Sequence, residues 1–203
     1  MAGSDVSAVI VSDEVALDAD GISTATSVGN NAALVIGGAL ADGGSVTNAS
    51  GRQVTILSAG NDSSKSFNVV GTDVNGASLT ENVTGANAGT ATSSGYFKTI
   101  ASITAVGNPA GNVSAGINAN AADVIFAGRT RLKGFSFVSG GTAGKANIRN
   151  GSVTGTEVVQ FRSIGTDDSS EDPFIPDEGL LFKDGCFVTF VVPQFDLMMF
   201  YHA

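Results

Sequence analysis

Chemically versatile side chains are scarce in this chain, which has one histidine, one cysteine and no tryptophan among 203 residues. A Ser-His-Asp or Cys-His arrangement needs an imidazole held in place. The single one, His202, is the penultimate residue, where chains usually fray. Zinc needs several Cys and His ligands, and one of each does not supply them. Cys186 has no partner for an intrachain disulfide and, between Gly185 and Phe187, reads as a small buried hydrophobe. Charge is sparse as well, at 14% of the residues against a usual share of about 25%. With 42% apolar residues, that scarcity excludes intrinsic disorder. No stretch approaches the roughly 18 apolar residues of a membrane helix. Met1–Asp5 carries neither the basic region nor the apolar core of a secretory leader, so a soluble product is expected.

The charge that is present is mostly of one sign. Nineteen acids against ten bases leave a net charge of −9. Such a surface repels a phosphate backbone and an anionic bilayer, so neither nucleic acid nor membrane is expected as a partner. Bases gather late, in Arg129, Arg131, Lys133, Lys145 and Arg149. They could meet an acidic protein surface, but scattered solvated charges are the preferred reading.

Glycine is abundant, with 27 residues and no three-residue period, a composition suited to short strands and tight turns. Val54 and Ile56 alternate with Gln53 and Thr55, and Phe67 and Val69 with Ser66 and Asn68. Period two puts one face on a core and the other in water. Asn75-Gly76 is the signal for a type I′ hairpin turn, which needs positive φ at both central positions. Tyr96–Val106 reads as a strand closed by Asn108, Pro109 and Gly111, and Asn118–Ala122 as a boundary between two units. Beyond it, Phe135 and Phe137, Ala146 and Ile148, and Val158, Val159 and Phe161 mark further strands. Phe187–Val192 is apolar on both faces, as in a strand buried on both sides, and Phe195–Tyr201 reads as a last strand. Ser12–Ala19 could form a short helical turn, and Ala32–Ile36 a strand or extended arm.

The expected fold is therefore all-β: two small antiparallel β-sandwich or barrel-like domains, 51–121 and 122–203, preceded by an N-terminal arm or first strands over 1–50.

Three stretches invite chemical readings. Ser139–Ala146 offers Gly144 and Lys145 but lacks the first glycine and the final hydroxyl of a phosphate loop, so a hairpin loop is expected. Carboxylates crowd residues 167–178, and Asp167, Asp168, Glu171 and Asp172 are candidate calcium ligands. The spacing matches no EF-hand, and a solvated acidic loop is preferred. Paired carboxylates also serve glycoside hydrolysis, but two tyrosines and no tryptophan leave few platforms for a sugar. No cofactor is expected. Aromatics gather late, and the preferred reading is the core of the second domain. The sharper reading makes Met198, Met199, Phe200 and Tyr201 a subunit interface, where aromatics and methionine are enriched.

Residues 51–73, GRQVTILSAGNDSSKSFNVVGTD, and 79–107, LTENVTGANAGTATSSGYFKTIASITAVG, resemble a β-domain that recurs in virion structural proteins of tailed phages, especially short-tailed marine and cyanobacterial ones. Residues 131–159, RLKGFSFVSGGTAGKANIRNGSVTGTEVV, with 176–190, PDEGLLFKDGCFVTF, resemble a second small β-module of such proteins. The resemblance implies a non-enzymatic accessory subunit that decorates or cements the capsid or sits at the head–tail assembly. It implies a homo-oligomer assembled in the host bacterial cytoplasm, with the major capsid, portal or tail proteins as neighbours. The apolar patches Val9–Val11 and Ala32–Ile36 would then dock on a neighbouring subunit. The alternative is a carbohydrate-binding or adhesin-like β module at a cell surface, with a hydrolase using the acidic loop third.

Overall fold

The computed structural model describes residues 6–13, 16–139, 141–163, 170–171, 175–176, 178–191 and 195–202. These residues form sixteen strands and no helix. In chain order they are β1 Val6–Asp13, β2 Asp18–Thr26, β3 Ala41–Asp42, β4 Ser45–Ser58, β5 Ser66–Thr72, β6 Ser78–Thr84, β7 Thr90–Thr92 and β8 Phe97–Val106. There follow β9 Val113–Phe126, β10 Thr130–Ser139, β11 Gly144–Asn150, β12 Thr156–Ser163, β13 Ser170–Glu171, β14 Leu180–Phe182, β15 Cys186–Val191 and β16 Phe195–His202. The registered pairs are antiparallel, and the sheets end in edges rather than closing into barrels. The all-β expectation holds in its open, sandwich-like form.

The chain divides into Met1–Val15 with Asn120–Ala203, here the C-terminal unit, and Ala16–Ala119, the middle unit. The division falls at 119/120, inside β9, rather than at 121/122. Of the two forms expected for the first fifty residues, an arm or first strands, the described part takes the second, with β1, β2, β3 and the start of β4, and these strands are shared between the units. β1 belongs with the C-terminal unit, whereas β2 and the residues after it belong with the middle unit. The physical reason is where the side chains bury: Val11 enters the core of the C-terminal unit, and Ile22 and Leu34 are buried in the middle unit. No helical turn forms over Ser12–Ala19, because β1 runs to Asp13 and β2 starts at Asp18.

In the middle unit, β4, β8, β5 and β6 lie side by side, with β3 and β7 on β4. Phe67, Val69, Ile100 and Ile103 are fully buried. Residues 32–34 run beside β8, bridging it at Ala33↔Thr104, with the Leu34 N–H donating to the Ile103 carbonyl at 2.8 Å. Arg52 is fully buried too, and its Nη1 donates to the carbonyls of Asn118 (3.1 Å) and Ala119 (3.4 Å). Gly71 sits at a register shift between β5 and β8, where a Cβ would overlap the Thr99 carbonyl. The expected hairpin joins β5 to β6, but its turn is not type I′. Gly76 alone in the turn has positive φ, at +78°. The Asp73 carboxylate accepts from the N–H groups of Asn75 (2.8 Å) and Ala77 (2.9 Å), favouring a three-residue loop with a left-handed glycine.

The C-terminal unit is built from two sheets. One runs β1-β16-β10, with β13 and β14 on the far side of β10. The other runs β12-β11-β15, followed by residues 120–126 of β9. Inward positions supply the core: Leu132, Phe135 and Phe137 from β10, Phe161 from β12, Val188 and Phe190 from β15, and Phe195, Leu197 and Met199 from β16. Leu132 and Phe135 share a face despite their odd spacing because the register shifts between Leu132 and Gly134, a bulge that absorbs one residue. Phe190 stacks on Phe195 at 3.5 Å and 11° and faces Phe137 at 6.3 Å. Each such side chain contributes about 1.5–3 kcal/mol when fully buried. β15 is buried at every position from Cys186 to Phe190, as its apolar run implied, whereas Val191 at its end is 43% exposed and Val192 lies outside the described residues. The Ser139–Ala146 stretch is not a hairpin loop. It carries the chain from β10 in one sheet to β11 in the other, so both sheets are fed by one connection.

Candidate functional site

The tail strand decides where the four expected interface residues go. β16 pairs with β1 from Val6↔His202 to Asp13↔Phe195 without a break, and with β10 on its other side. Hydrogen bonding on both edges keeps it extended, so its side chains alternate strictly. Met199 points inward and is 0% exposed, between Val9 of β1 and Phe135 of β10 in register. Met199 is therefore a core residue and not a surface one. Tyr201 is half-buried against the same core, its ring 5.5 Å from that of Phe126. Met198 and Phe200 point outward, 38% and 39% exposed.

Around those two, the outer face of the sheet is apolar. Met198 lies between Ile10, 65% exposed, and Ser136. Phe200 lies between Ala8 and Gly134, its ring packed against Gly134 with Cδ2 3.5 Å from where a Cβ would stand, an ordinary contact distance. Ile10, Ser136, Val138, Asp196, Leu197 and Met198 line a depression of about 290 Å³. Polar groups mark the ends of this face: Ser12 pairs with Asp196 at one, and His202 and Arg131 are in register at the other, beside Val6.

That second end holds a basic pocket. Arg129, Thr130, Arg131, Lys133, Glu178 and His202 enclose about 290 Å³. Arg131 Nη1 donates to the Glu178 carbonyl at 2.8 Å and lies 4.0 Å from its carboxylate. Thr130 Oγ1 donates to the His202 carbonyl at 2.7 Å. His202 is thus held in a strand and does not fray at a chain end. The late bases separate into three places. Arg129, Arg131 and Lys133 are here, Lys145 lines another depression with Arg162, and Arg149 Nη2 meets Glu157 at 3.3 Å. Sequence reading left the pocket unassembled because Glu178 and His202 reach it only through the pairing of β10 with β14 and β16.

Of the calcium candidates, Asp167, Asp168 and Asp172 lie outside the described residues, as does the side chain of Glu171, whose backbone forms part of β13. Among the described residues, no three His, Cys, Asp or Glu side chains gather into a group that could hold a metal ion. Cys186 is buried in the core, and that burial pushes its thiol up to about 12. It stays protonated at neutral pH and is no nucleophile.

The fold places the chain among open, antiparallel all-β proteins. Scans against protein-family models, curated proteins and solved structures return no match.

Proposed function

We infer that the chain is a non-enzymatic structural subunit of a tailed-phage virion. It decorates or cements the capsid or sits at the head–tail assembly, as an oligomer against major capsid, portal or tail proteins. The observation that carries this reading is the outer face of the β1-β16-β10 sheet, where Met198 and Phe200 of β16 and Ile10 of β1 present an apolar row to solvent in a chain of net charge −9. An exposed apolar face rimmed by polar residues marks a protein–protein contact. The resemblance of residues 51–73, 79–107, 131–159 and 176–190 to virion modules supports the choice of partner, and the inert Cys186 fits an architectural role.

The test is protein mass spectrometry and cryo-electron microscopy of particles from a phage that encodes the chain. The chain is expected in purified particles at stoichiometric copy number, with density on its β1-β16-β10 face. Particles that lack it refute the reading. Phe200→Asp is expected to abolish incorporation while the free chain stays folded, its melting temperature falling by only about 2–4 °C, because the ring lies on the outer face of the sheet rather than in the core.

A further inference from the structure

We propose that β1 is the pairing edge of a two-fold homodimer, in which β1 of one chain adds antiparallel to β1 of a second copy and joins their outer sheets.

The case rests on a contrast between edges of the same molecule. Strand edges expose unpaired N–H and C=O groups, and proteins guard them with charge, proline, bulges or shortness. Among the described residues the other edges carry such guards. β6 has Glu81 and Asn82 along it. β12 has Glu157, Gln160 and Arg162, with a register shift against β11. β13 and β14 have two and three residues. β2 carries Asp18 and Asp20 and meets β9 at three registered positions separated by shifts. β1 has none of these. Its eight residues, Val-Ser-Ala-Val-Ile-Val-Ser-Asp, contain no proline, glycine or base, and their register with β16 is unbroken. Its one charged residue, Asp13, is at the end. At about 3.4 Å per residue, its Ser7–Asp13 part offers roughly 24 Å of straight edge. Among the described residues, no strand other than β16 pairs with it.

Charge selects a second copy as the occupant. The outer face beside β1 is polarised along the strand, with His202 and Arg131 in register with Val6, and Asp196 in register with Ser12 next to Asp13. An antiparallel two-fold sets the acidic end of each copy beside the basic end of the other. It also keeps the two Asp13 residues at opposite ends. Between those ends the facing side chains are Ala8, Val9, Ile10 and Val11, which can extend the apolar faces of both sheets. A two-fold interface needs such self-complementarity, because the same patch serves both partners.

The experiment uses the full chain in sedimentation velocity and native mass spectrometry. A species of twice the 20.3 kDa chain mass is expected, populated at concentrations up to about 100 µM. Ile10→Lys places two ammonium groups across the two-fold and is expected to weaken the dimer by at least about tenfold. Ile10 is exposed, so the melting temperature of the isolated chain reports whether the fold survives. Ile10→Cys is expected to oxidise into a disulfide-linked dimer, whereas Val35→Cys, at a 75% exposed position of the middle unit, is not. A wild-type chain that stays monomeric throughout overturns the proposal. So does a dimer that Ile10→Lys leaves intact and Ile10→Cys does not link. Presence in virions is read separately by mass spectrometry of purified particles, so failure of the dimer and failure of the virion reading are told apart.

Discussion

Met198 and Met199 are adjacent, chemically identical and expected to behave oppositely when truncated. Met199 is fully buried between Val9 and Phe135, while Met198 stands on the outer face at 38% exposure. Met199→Ala removes three heavy atoms from a packed core and leaves a cavity, a change that costs about 2–5 kcal/mol. Taking roughly 3 kcal/mol and about 2–4 °C per kcal/mol for a chain of this size, the melting temperature should fall by about 6–12 °C. Met198→Ala removes the same atoms from a solvent-facing site, where substitutions usually stay within about 0.5 kcal/mol. Scanning calorimetry of both variants and the wild type, at a dilution where each is monomeric, gives the comparison directly. The relevant transition is the one that melts the C-terminal unit. Equal losses, or a larger loss for Met198→Ala, would refute the assignment of alternate β16 side chains to core and surface.

Other positions yield equally concrete expectations. Arg52→Ala strips the donor from the Asn118 and Ala119 carbonyls and should destabilise by about 3 kcal/mol in urea titration. Arg52→Met, which keeps volume without a buried charge, should cost less than Arg52→Ala, and the reverse order would count against a packed, hydrogen-bonded guanidinium. Gly71→Ala should prevent folding of the middle unit or force β5 away from β8, read as lost near-ultraviolet dichroism or a severe drop in melting temperature, because its Cβ would meet backbone. Cys186 should resist thiol reagents in the native state and react on unfolding. Its folded-state pKa lies near 12 against 9.0 for the free thiol, so the unfolded chain loses this proton first. Stability should therefore fall as pH rises from about 9 towards 12, by at most about 1.4 kcal/mol per pH unit from this group. Cys186→Ala should flatten that slope, and an unchanged slope would count against the buried thiol as its source.

What could be read from the sequence was local. The apolar run Phe195–Tyr201 marked a strand, and a strand's period of two, followed through, sorts Phe195, Leu197 and Met199 to one face and Met198 and Phe200 to the other. Grouping four consecutive residues as one interface ignored the parity that the strand itself imposes. Arg52 carried a usable signal of the same kind, since it shares parity with Val54 and Ile56, but a lone charge in a strand is ordinarily read as solvated. The Asn75-Gly76 signal located a hairpin and missed its turn type, because the Asp73 carboxylate supplies acceptors that a dipeptide motif does not encode. Nothing local predicted that β1 would pair with β16 instead of projecting as an arm, or that β10 and β11 would enter different sheets. Those are choices among long-range partners, and the basic pocket and the apolar face exist only once they are made.

The pairing of β1 with β16 also imposes a schedule on synthesis. The ribosome finishes β1 long before its partner, and the whole middle unit emerges in between. At about 5–20 residues per second, β1 waits roughly 10–40 s with both edges open. The middle unit can complete its own sheet in that interval, whereas the C-terminal unit cannot close until its farthest strand is translated. A nascent chain with an unguarded apolar strand waiting for its partner is a natural client for a holding chaperone, and crowded polysomes offer it the wrong partners first.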